Sequence, residues 1–332
     1  MSMVLSTRYA TPRDFYVSRI MRIFPPYWIV LIGTVALSGV AGLLFHKWLL
    51  LKPYVTHPLE RNGATGFLLT AFSNLTLIGQ DWVMFLSHDY GGPIHFTAAF
   101  RSDPSPLWHY LLVPQCWSIG VELTFYAFVP YLNRVRSRSL ALMALVALAA
   151  RLIAYWRMGL AHDPWDNRFF PFEISLFLFG MLGYRLYVRS TPHHPSQRFR
   201  CVSRTSYLIG AVSLLFLLYV HIRVVGYLGR RVGPELGVLI TYPFWTLGIP
   251  VLFFAFGNQK IDRIIGEMSY PIYLVHFIVI TVVTSPLNHV GLRQSIGVSS
   301  AFISVVVAGI FYRLFIAPID KKRHFLTTSR PD

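Results

Sequence analysis

Apolar and polar positions along the chain are sorted into long hydrophobic blocks separated by short polar connections. Four blocks of about 20 residues contain no Asp, Glu, Lys or Arg, and they span residues 25–45, 236–257, 268–288 and 294–312. A helix of about 20 apolar residues crosses the hydrocarbon core of a bilayer. The pattern therefore predicts several membrane-spanning helices.

The weaker apolar blocks extend this prediction over the rest of the chain. Helices are expected near residues 25–45, 117–132, 139–156, 169–188, 205–221, 236–257, 268–285 and 296–317. A further block at 66–86 is ambiguous because Asn74, Gln80 and Asp81 interrupt it. The predicted fold class is all-α, a polytopic transmembrane helix bundle of about eight to ten spans.

Composition and charge favour a membrane protein over a soluble one. Of the 332 residues, 54% are hydrophobic and 13% are charged, whereas a soluble domain carries about 25% charged residues. The net charge of +16 would also suit a nucleic-acid-binding protein. However, the basic residues lie in short connections such as NRVRSRS at 133–139, as is typical of cytoplasmic loops. We therefore expect the lipid bilayer as a partner and no nucleic acid.

The same basic connections predict orientation and domain limits. If the N-terminus is cytoplasmic and 66–86 does not cross, most Lys and Arg residues lie inside. If 66–86 crosses alone, the later loops change side, unless a second crossing lies within 87–116. We predict a cytoplasmic N-terminal segment with paired arginines at 1–24, a transmembrane bundle at 25–318 and a short basic cytoplasmic tail at 319–332.

Two arginines, Arg19 and Arg22, precede the first apolar block and would share one face of a helix because they are three residues apart. Guanidinium groups bind phosphate in a bidentate manner and stay charged at working pH. One interpretation is a positive-inside anchor that contacts lipid phosphates. The other is a binding site for an anionic donor that arrives from the cytoplasm.

The run WSIGVELTFYAFVPYL, which begins at Trp117, carries the carboxylate of Glu122 near its middle. A charge at the bilayer centre is unfavourable by roughly a few kcal/mol, and such residues usually face the bundle interior or a water-filled cavity. Ser118, Glu122 and Phe125 or Tyr126 share one helical face. Glu122 is therefore a candidate functional carboxylate, and the alternative is a structural hydrogen bond, for example to Trp117.

A third cluster lies in SYPIYLVHF, where Ser269, Tyr273, His276 and Ile280 form one helical stripe. The stripe offers a hydroxyl, a phenol and an imidazole within about 11 Å. Histidine titrates near neutral pH and suits general acid–base catalysis. A hydrogen-bonded structural histidine is the alternative for His276.

Other features narrow the range of chemistries. Glu173 and Arg185 lie in another apolar block, about 18 Å apart along a helix axis, so they cannot pair directly. The sequence contains no GxSxG, GxxxxGK[ST], GxGxxG or HExxH pattern. Cys116 and Cys201 belong to no cluster with zinc spacing. Hydrolase, nucleotide-triphosphatase and zinc-protease interpretations lose their usual support, and we expect no metal.

The chain contains, in this order, RIMRIFPPYW, NLTLIGQDWVMF, WSIGVELTFY, FEISLFLFGMLGYRLY and SYPIYLVHF. Together these segments resemble the acyltransferase-3 family of integral membrane O-acyltransferases, over about residues 14 to 318. The resemblance implies transfer of an acyl group, commonly acetyl, from acyl-CoA to a hydroxyl of a cell-surface carbohydrate or lipid-linked glycan. It implies acyl-CoA as a donor substrate, no permanently bound cofactor, and a multi-pass protein of the bacterial inner membrane.

The resemblance also implies roles for individual residues. Arg19 and Arg22 match the family's paired arginines, which are expected at the cytoplasmic donor site. Glu122 matches the acidic position of the W-S-x-x-x-E pattern and is expected to accept a hydrogen bond from the acceptor hydroxyl. The remaining candidates are Ser118 and His276 as catalytic residues and Trp117, Tyr126 and Tyr273 as substrate-binding residues.

The chain departs from the family pattern in two places. Members normally begin with two further spans, the first bearing an arginine and a histidine held to be essential, and no residue before Arg19 matches that histidine. The last span usually ends with Glu before Pro, whereas LFIAPID has Ile316 and Ala317 there. We therefore expect a piece of a longer acyltransferase or, alternatively, a catalytically silent relative. A glycan or lipid transporter stays open as a third class, although no inverted repeat is evident.

Overall fold

The computed structural model describes residues 11–56, 63–88, 93–190, 204–231, 233–256, 260–285 and 296–321. Its helices are α1 (Pro12–Phe45), α2 (Lys52–Thr56), α3 (Gly63–Thr76), α4 (Gln80–Val83), α5 (Trp117–Leu132), α6 (Ser137–Met158), α7 (Phe170–Ser190), α8 (Arg204–Arg231), α9 (Pro234–Phe256), α10 (Lys260–Thr284) and α11 (Ile296–Phe311). Strands β1 (Leu86–His88) and β2 (Ile94–Phe96) pair antiparallel. Short 3₁₀ turns lie at Leu49–Leu51, Leu107–Tyr110 and Pro114–Cys116.

The all-α prediction is confirmed, and each of the eight predicted spans forms a helix. Within the described part of the chain, five helical segments are long and apolar enough to cross a membrane: Pro12–Phe45, Ser137–Met158, Val212–Arg231, Ile264–Thr284 and Ile296–Lys321. Their outer faces expose large apolar side chains, such as Leu43 at 74% and Val298 at 75%, which suits contact with lipid. The chain is a multi-pass membrane protein, and the total of about eight to ten spans stays a prediction.

Helix α1 includes residues 12–24 of the predicted N-terminal segment and continues without a break through Pro25 and Pro26. Thr11 caps it, because its hydroxyl oxygen accepts a hydrogen bond from the backbone N–H of Asp14 at 3.2 Å. Residues 1–10 and 322–332 of the two predicted terminal segments lie outside the described residues.

The ambiguous block at 66–86 does not form one crossing helix. Helix α3 spans 14 residues, or about 21 Å, which is shorter than the roughly 30 Å hydrocarbon core. The chain then turns through Leu77 and Gly79, whose φ angles are 63° and 76°. It continues as the four-residue helix α4 and strand β1.

Asn74, one of the polar residues that interrupt this block, organises the chain around it. It is 4% exposed, and its Nδ2 donates to the Tyr110 carbonyl oxygen at 2.8 Å while its Oδ1 accepts from the Leu112 N–H at 2.9 Å. The Tyr27 hydroxyl donates to the Asn74 carbonyl oxygen at 2.5 Å. These bonds tie α1 and α3 to the 107–112 segment.

The structure divides into two compact units, and each is described by itself. Unit 1 contains Phe125–Ile265, and unit 2 contains Tyr9–Thr124 and Gly266–Asp332. Within unit 1, α7 packs against α6 and α9, and α9 packs against α8. The approach of α7 to α9 is close, since a Cβ at Gly183 would lie 2.8 Å from the Thr246 carbonyl oxygen. Unit 2 contains α1, the 46–116 connection, the first half of α5, most of α10, and α11.

Candidate functional site

The two arginines of α1 differ in their surroundings. Arg19 is 8% exposed, and its guanidinium carbon lies 5.5 Å from the centre of the Phe15 ring. Phe15 is fully buried, so this cation–π contact fixes the Arg19 side chain against the interior of unit 2. Arg22 follows one turn later and is exposed. One guanidinium is therefore held inside the unit and the other is accessible at its surface.

Glu122, on the part of α5 that belongs to unit 2, interacts electrostatically with both arginines. Its side chain is half-buried. The sequence identified the arginine pair and the carboxylate separately, on segments about a hundred residues apart. The structure brings Arg19, Arg22 and Glu122 together in one charged cluster.

Tyr270 of α10 also belongs to this cluster, although sequence reasoning did not select it. Its hydroxyl donates to the Ile23 carbonyl oxygen of α1 at 2.8 Å, and the side chain lies within electrostatic range of Glu122. The sequence signal that could have identified Tyr270 is its phenol inside the SYPIYLVHF segment. Its helical position, however, lies outside the predicted stripe.

A second group of hydrogen bonds joins the start of α5 to α10. The Tyr273 hydroxyl donates to the Gln115 carbonyl oxygen, and the Ser118 Oγ lies 2.7 Å from the Tyr273 hydroxyl oxygen. Because the phenol has one hydrogen, Ser118 is the donor in that pair. The Gln115 Nε2 donates to the Leu274 carbonyl oxygen at 2.9 Å. Two predicted site residues, Ser118 and Tyr273, are therefore direct partners.

His276 has a defined tautomer. Its Nδ1 lies 2.7 Å from the Tyr273 carbonyl oxygen, and a carbonyl can only accept, so Nδ1 carries the hydrogen. The neutral ring then keeps Nε2 as the nitrogen that can take up a proton. The imidazole is half-buried, and the Tyr273 and His276 ring centres are 5.8 Å apart.

The other members of the predicted α10 stripe face outward. The Ser269 hydroxyl donates to the Gly266 carbonyl oxygen of its own helix at 2.8 Å and is exposed. Ile280 is 38% exposed. The stripe therefore supplies Tyr273 and His276 to the interior of unit 2, whereas Ser269 is used in a local helix bond.

Two predicted substrate-binding residues lie elsewhere on α5. Trp117 is the first residue of the helix and is half-buried in unit 2. Tyr126 is 3% exposed and belongs to unit 1. It follows Glu122 by four residues on the same helix, as the spacing predicts.

A further carboxyl group, Asp81 on α4, lies beside α5 and was missed as a site residue. Asp81 is 1% exposed, and its Oδ1 receives no hydrogen bond from the described residues. A Cβ at Gly120, midway between Ser118 and Glu122, would lie 3.0 Å from that oxygen. Burial raises the pKa of the Asp81 carboxyl to about 6. A carboxylate within an apolar run was the signal that could have found it, as for Glu122.

Unit 1 holds a separate buried ion pair. The Arg151 Nη1 lies 3.0 Å from the Glu173 Oε1, and the guanidinium also donates to the Tyr155 hydroxyl at 2.8 Å and to the Tyr242 hydroxyl. Arg185, at the other end of α7, donates to the Asn133 carbonyl oxygen at 3.0 Å after the end of α5. Glu173 and Arg185 do not pair, as predicted. The partner of Glu173 was not foreseen.

Comparisons with known proteins agree with this architecture. A family model described as an acyltransferase domain, the acyltransferase-3 model, matches residues 1–317. An uncharacterized protein of Aquifex aeolicus (strain VF5) is 24% identical over 225 residues, which cover 67% of this chain and 90% of the relative. No solved structure matches. Because the family model spans nearly the whole sequence, the chain belongs to the acyltransferase-3 family of membrane acyltransferases.

Proposed function

We propose that this protein transfers an acyl group, in the simplest case acetyl, from acyl-CoA to a hydroxyl of a cell-surface carbohydrate or lipid-linked glycan at the bacterial inner membrane. Membership of the acyltransferase family supports the reaction class. The observation that carries the proposal is the cluster of Arg19, Arg22 and Glu122 in unit 2. It combines two groups that bind phosphate with one that accepts a hydroxyl hydrogen.

The arginine pair suits the donor. Coenzyme A carries three phosphates, and guanidinium groups bind phosphate in a bidentate manner. Arg22 is exposed and meets the phosphates first, while Arg19, held against Phe15, receives the part of the donor that enters the unit. A lipid anchor alone would not require the buried position of Arg19.

Glu122 suits the acceptor. In the transfer step the acceptor hydroxyl oxygen forms an ester bond to the acyl carbon, the thioester C–S bond breaks, and the hydroxyl proton ends on the coenzyme A thiol. The Glu122 carboxylate accepts the hydroxyl's hydrogen bond and aligns the attacking oxygen. His276, whose Nε2 can take up a proton, and Ser118 are further candidates for handling that proton.

The test measures transfer of radiolabelled acetyl from acetyl-CoA to membrane glycans, using membranes that contain the full chain. We expect Glu122→Gln to lower the rate by about 100-fold or more, the lower end of what a positioned acid–base or hydrogen-bonding group contributes. Glu267→Gln is the matched control, since Glu267 is an exposed carboxylate of α10 that accepts a hydrogen bond from Tyr312 at 2.8 Å. Both variants remove one carboxylate charge.

The outcomes separate the alternative functions. Equal transfer by both glutamine variants would remove Glu122 from the mechanism and leave the reaction class intact. Absence of transfer with acetyl-, propionyl- and butyryl-CoA, in chain that is correctly inserted, would favour the silent-relative interpretation. Movement of a labelled glycan across sealed vesicles without any acyl donor would favour a transporter.

A further inference from the structure

Unit 2 contains a cavity of about 490 Å³ that none of the site residues lines. This volume falls within the roughly 300–1,000 Å³ range of small-molecule sites. The cavity lies where the chain leaves α1, between the 49–56 and 104–114 segments and one face of α10. Its polar and aromatic lining includes Lys52, Thr56, His88, Trp108, His109 and Thr281.

Trp108 is the largest side chain of this lining. Its indole Nε1 is buried and finds no hydrogen-bond acceptor among the described residues. The ring packs edge-on against Phe100, with ring centres 5.7 Å apart and an interplanar angle of 89°. Phe100 is 2% exposed, so the indole is held in place. Trp108 therefore offers a ligand in the cavity its fixed ring atoms, because the indole N–H is not accessible to a water molecule.

The wall that carries Trp108 is rigid. The Tyr110 carbonyl oxygen accepts hydrogen bonds from the Tyr54 hydroxyl and from the Asn74 Nδ2. Asn74 also donates to the Tyr54 hydroxyl oxygen at 3.1 Å. A preformed site lowers the entropic cost of binding. The geometry is therefore that of a site built before the ligand arrives.

The lining chemistry identifies the class of ligand. A pyranose ring has apolar C–H faces and a rim of hydroxyl groups, which match the flat face of Trp108 and the Thr56, Thr281 and imidazole groups. Among the described lining residues there is no carboxylate, and Lys52 adds a positive charge at the rim, which also suits an acidic sugar. A lipid acyl chain would place only apolar atoms against these polar groups.

The cavity also has a suitable position within unit 2. Tyr270 of α10 bonds to Ile23 beside the arginines, and Phe277, which lines the cavity, follows Tyr270 by seven residues, about 10 Å along the helix. Pro114 lines the cavity, and Glu122 follows it by eight residues, about 12 Å if helical. An acceptor held in the cavity by one sugar can present a neighbouring hydroxyl toward Glu122.

We propose that this cavity, with Trp108 as its platform, binds a pyranose ring of the acceptor glycan. The assignment rests on the proposed function and gives that function a specific acceptor-binding site. It would place acceptor binding about 10 Å along α10 from Tyr270, which contacts α1 beside Arg22.

The test measures direct binding of oligosaccharides to the full chain in lipid nanodiscs, by isothermal titration and without any acyl donor. The ligands are neutral, N-acetylated and uronic-acid hexopyranose oligosaccharides. We expect Trp108→Ala to weaken binding by about tenfold or more, a typical loss for a buried aromatic anchor. Trp108→Phe, which keeps an aromatic face, should lose less. Trp156→Ala, at a tryptophan of α6 that is 75% exposed, is the matched control and should bind as the parent does.

A second variant distinguishes loss of the binding site from misfolding of the protein. Thr56→Trp adds volume at the rim of the cavity without removing a buried group, and it should also block sugar binding. Coenzyme A binding, measured on each variant, should stay unchanged and so report an intact unit 2. Sugar binding that is equal in Trp108→Ala, Thr56→Trp and Trp156→Ala would overturn the assignment, as would absence of binding to the parent chain. Loss of sugar binding when phosphatidylglycerol is added to the nanodiscs would overturn the assignment in favour of a lipid.

These results separate the two proposals. Sugar binding that depends on Trp108, without acetyl transfer in the membrane assay, would support the cavity and contradict the transferase activity. Acetyl transfer with the same KM for the glycan in the parent and in Trp108→Ala would support the transferase and contradict the cavity assignment.

Discussion

The Ser118 Oγ lies 2.7 Å from the Tyr273 hydroxyl oxygen, and this contact links the first turn of α5 to the middle of α10. Glu122 follows Ser118 by one helical turn, so the bond sets the azimuth at which the carboxylate meets Arg19 and Arg22. The two residues are 155 positions apart in the sequence. A pair of neutral hydroxyl groups thereby positions the charged cluster.

Removal of the Tyr273 hydroxyl tests this link. Tyr273→Phe loses the bonds to Ser118 and to the Gln115 carbonyl oxygen, each worth about 0.5–1.5 kcal/mol. We expect a lower thermal midpoint in detergent and a lower kcat for transfer, with the KM for acetyl-CoA little changed. Tyr219→Phe on α8, at a tyrosine that is 60% exposed, is the control. A Tyr273→Phe protein with parent stability and kcat would contradict the positioning role.

The two arginines should respond differently to conservative substitution. Arg19→Lys keeps the charge but loses the planar fork that grips phosphate and stacks on Phe15. We expect the KM for acetyl-CoA to rise about tenfold for Arg19→Lys and less for the exposed Arg22→Lys. Steady-state kinetics over a donor concentration series measures this. Arg13→Lys, at an exposed position on the same helix, should match the parent. The same KM in all three variants would exclude bidentate donor binding by Arg19.

The buried pair of unit 1 should be structural. Arg151→Met leaves Glu173 buried without its cation, and breaking such a pair costs about 3–5 kcal/mol. The double variant Arg151→Met, Glu173→Met should recover a large part of that loss, because no charge is left buried. Thermal unfolding of the detergent-solubilised protein measures both. Arg157→Met, at an exposed arginine of α6, serves as the control. Glu173→Met made alone completes the cycle, and additive effects of the two single substitutions would show that the pair is not coupled.

Two glycines of α7 provide a matched test of helix packing. A Cβ at Gly183 would lie 2.8 Å from the Thr246 carbonyl oxygen, whereas a Cβ at Gly180 would meet nothing within 4 Å. Gly183→Ala should therefore destabilise the protein because α9 must shift away. Gly180→Ala should be neutral or stabilising by about 0.5–1 kcal/mol, since alanine is the better helix former. The thermal midpoints of the two variants decide this, and a reversed order would contradict the α7–α9 contact.

The ionised Asp103 carboxylate should make the stability of the β1–β2 hairpin sensitive to acid. Burial disfavours its charged form, but hydrogen bonds from Ser87, the Ser105 N–H and Thr97, together with nearby His95, outweigh burial and lower the pKa. A lowered folded-state pKa gives a stabilisation that is fully present above the unfolded value of about 3.9 and is lost as pH falls through the folded value.

Amide hydrogen exchange of residues 86–105 measures this effect, after correction for intrinsic rates. Protection should be constant from pH 7 down to about 4 and should decline below that. Asp103→Asn should show weaker protection at neutral pH and no decline on acidification. A decline of equal size in Asp103→Asn would assign the acid sensitivity to another group.

The positions of the helices follow from the sequence for a local reason. Burial in lipid is governed by uninterrupted runs of apolar side chains, so WSIGVELTFYAFVPYL predicts α5 with both ends correct. The spacing of Ser118 and Glu122 then fixes their shared face. The sequence by itself likewise determined that Glu122 is an unusual carboxylate, since charge in an apolar run is visible without any knowledge of the fold.

Only the tertiary structure decided the partners. Arg19 with Glu122, Ser118 with Tyr273 and Arg151 with Glu173 are pairs whose members lie on different helices. Helical periodicity carries no information on which helix face meets which. The block at 66–86 was ambiguous for the same reason. Asn74 and Gln80 interrupt its apolar pattern, and only the structure shows that they bond to Tyr110 and to Tyr27 of α1. The cavity beside Trp108 arises where three distant segments meet, so its existence depends on packing rather than on any local pattern.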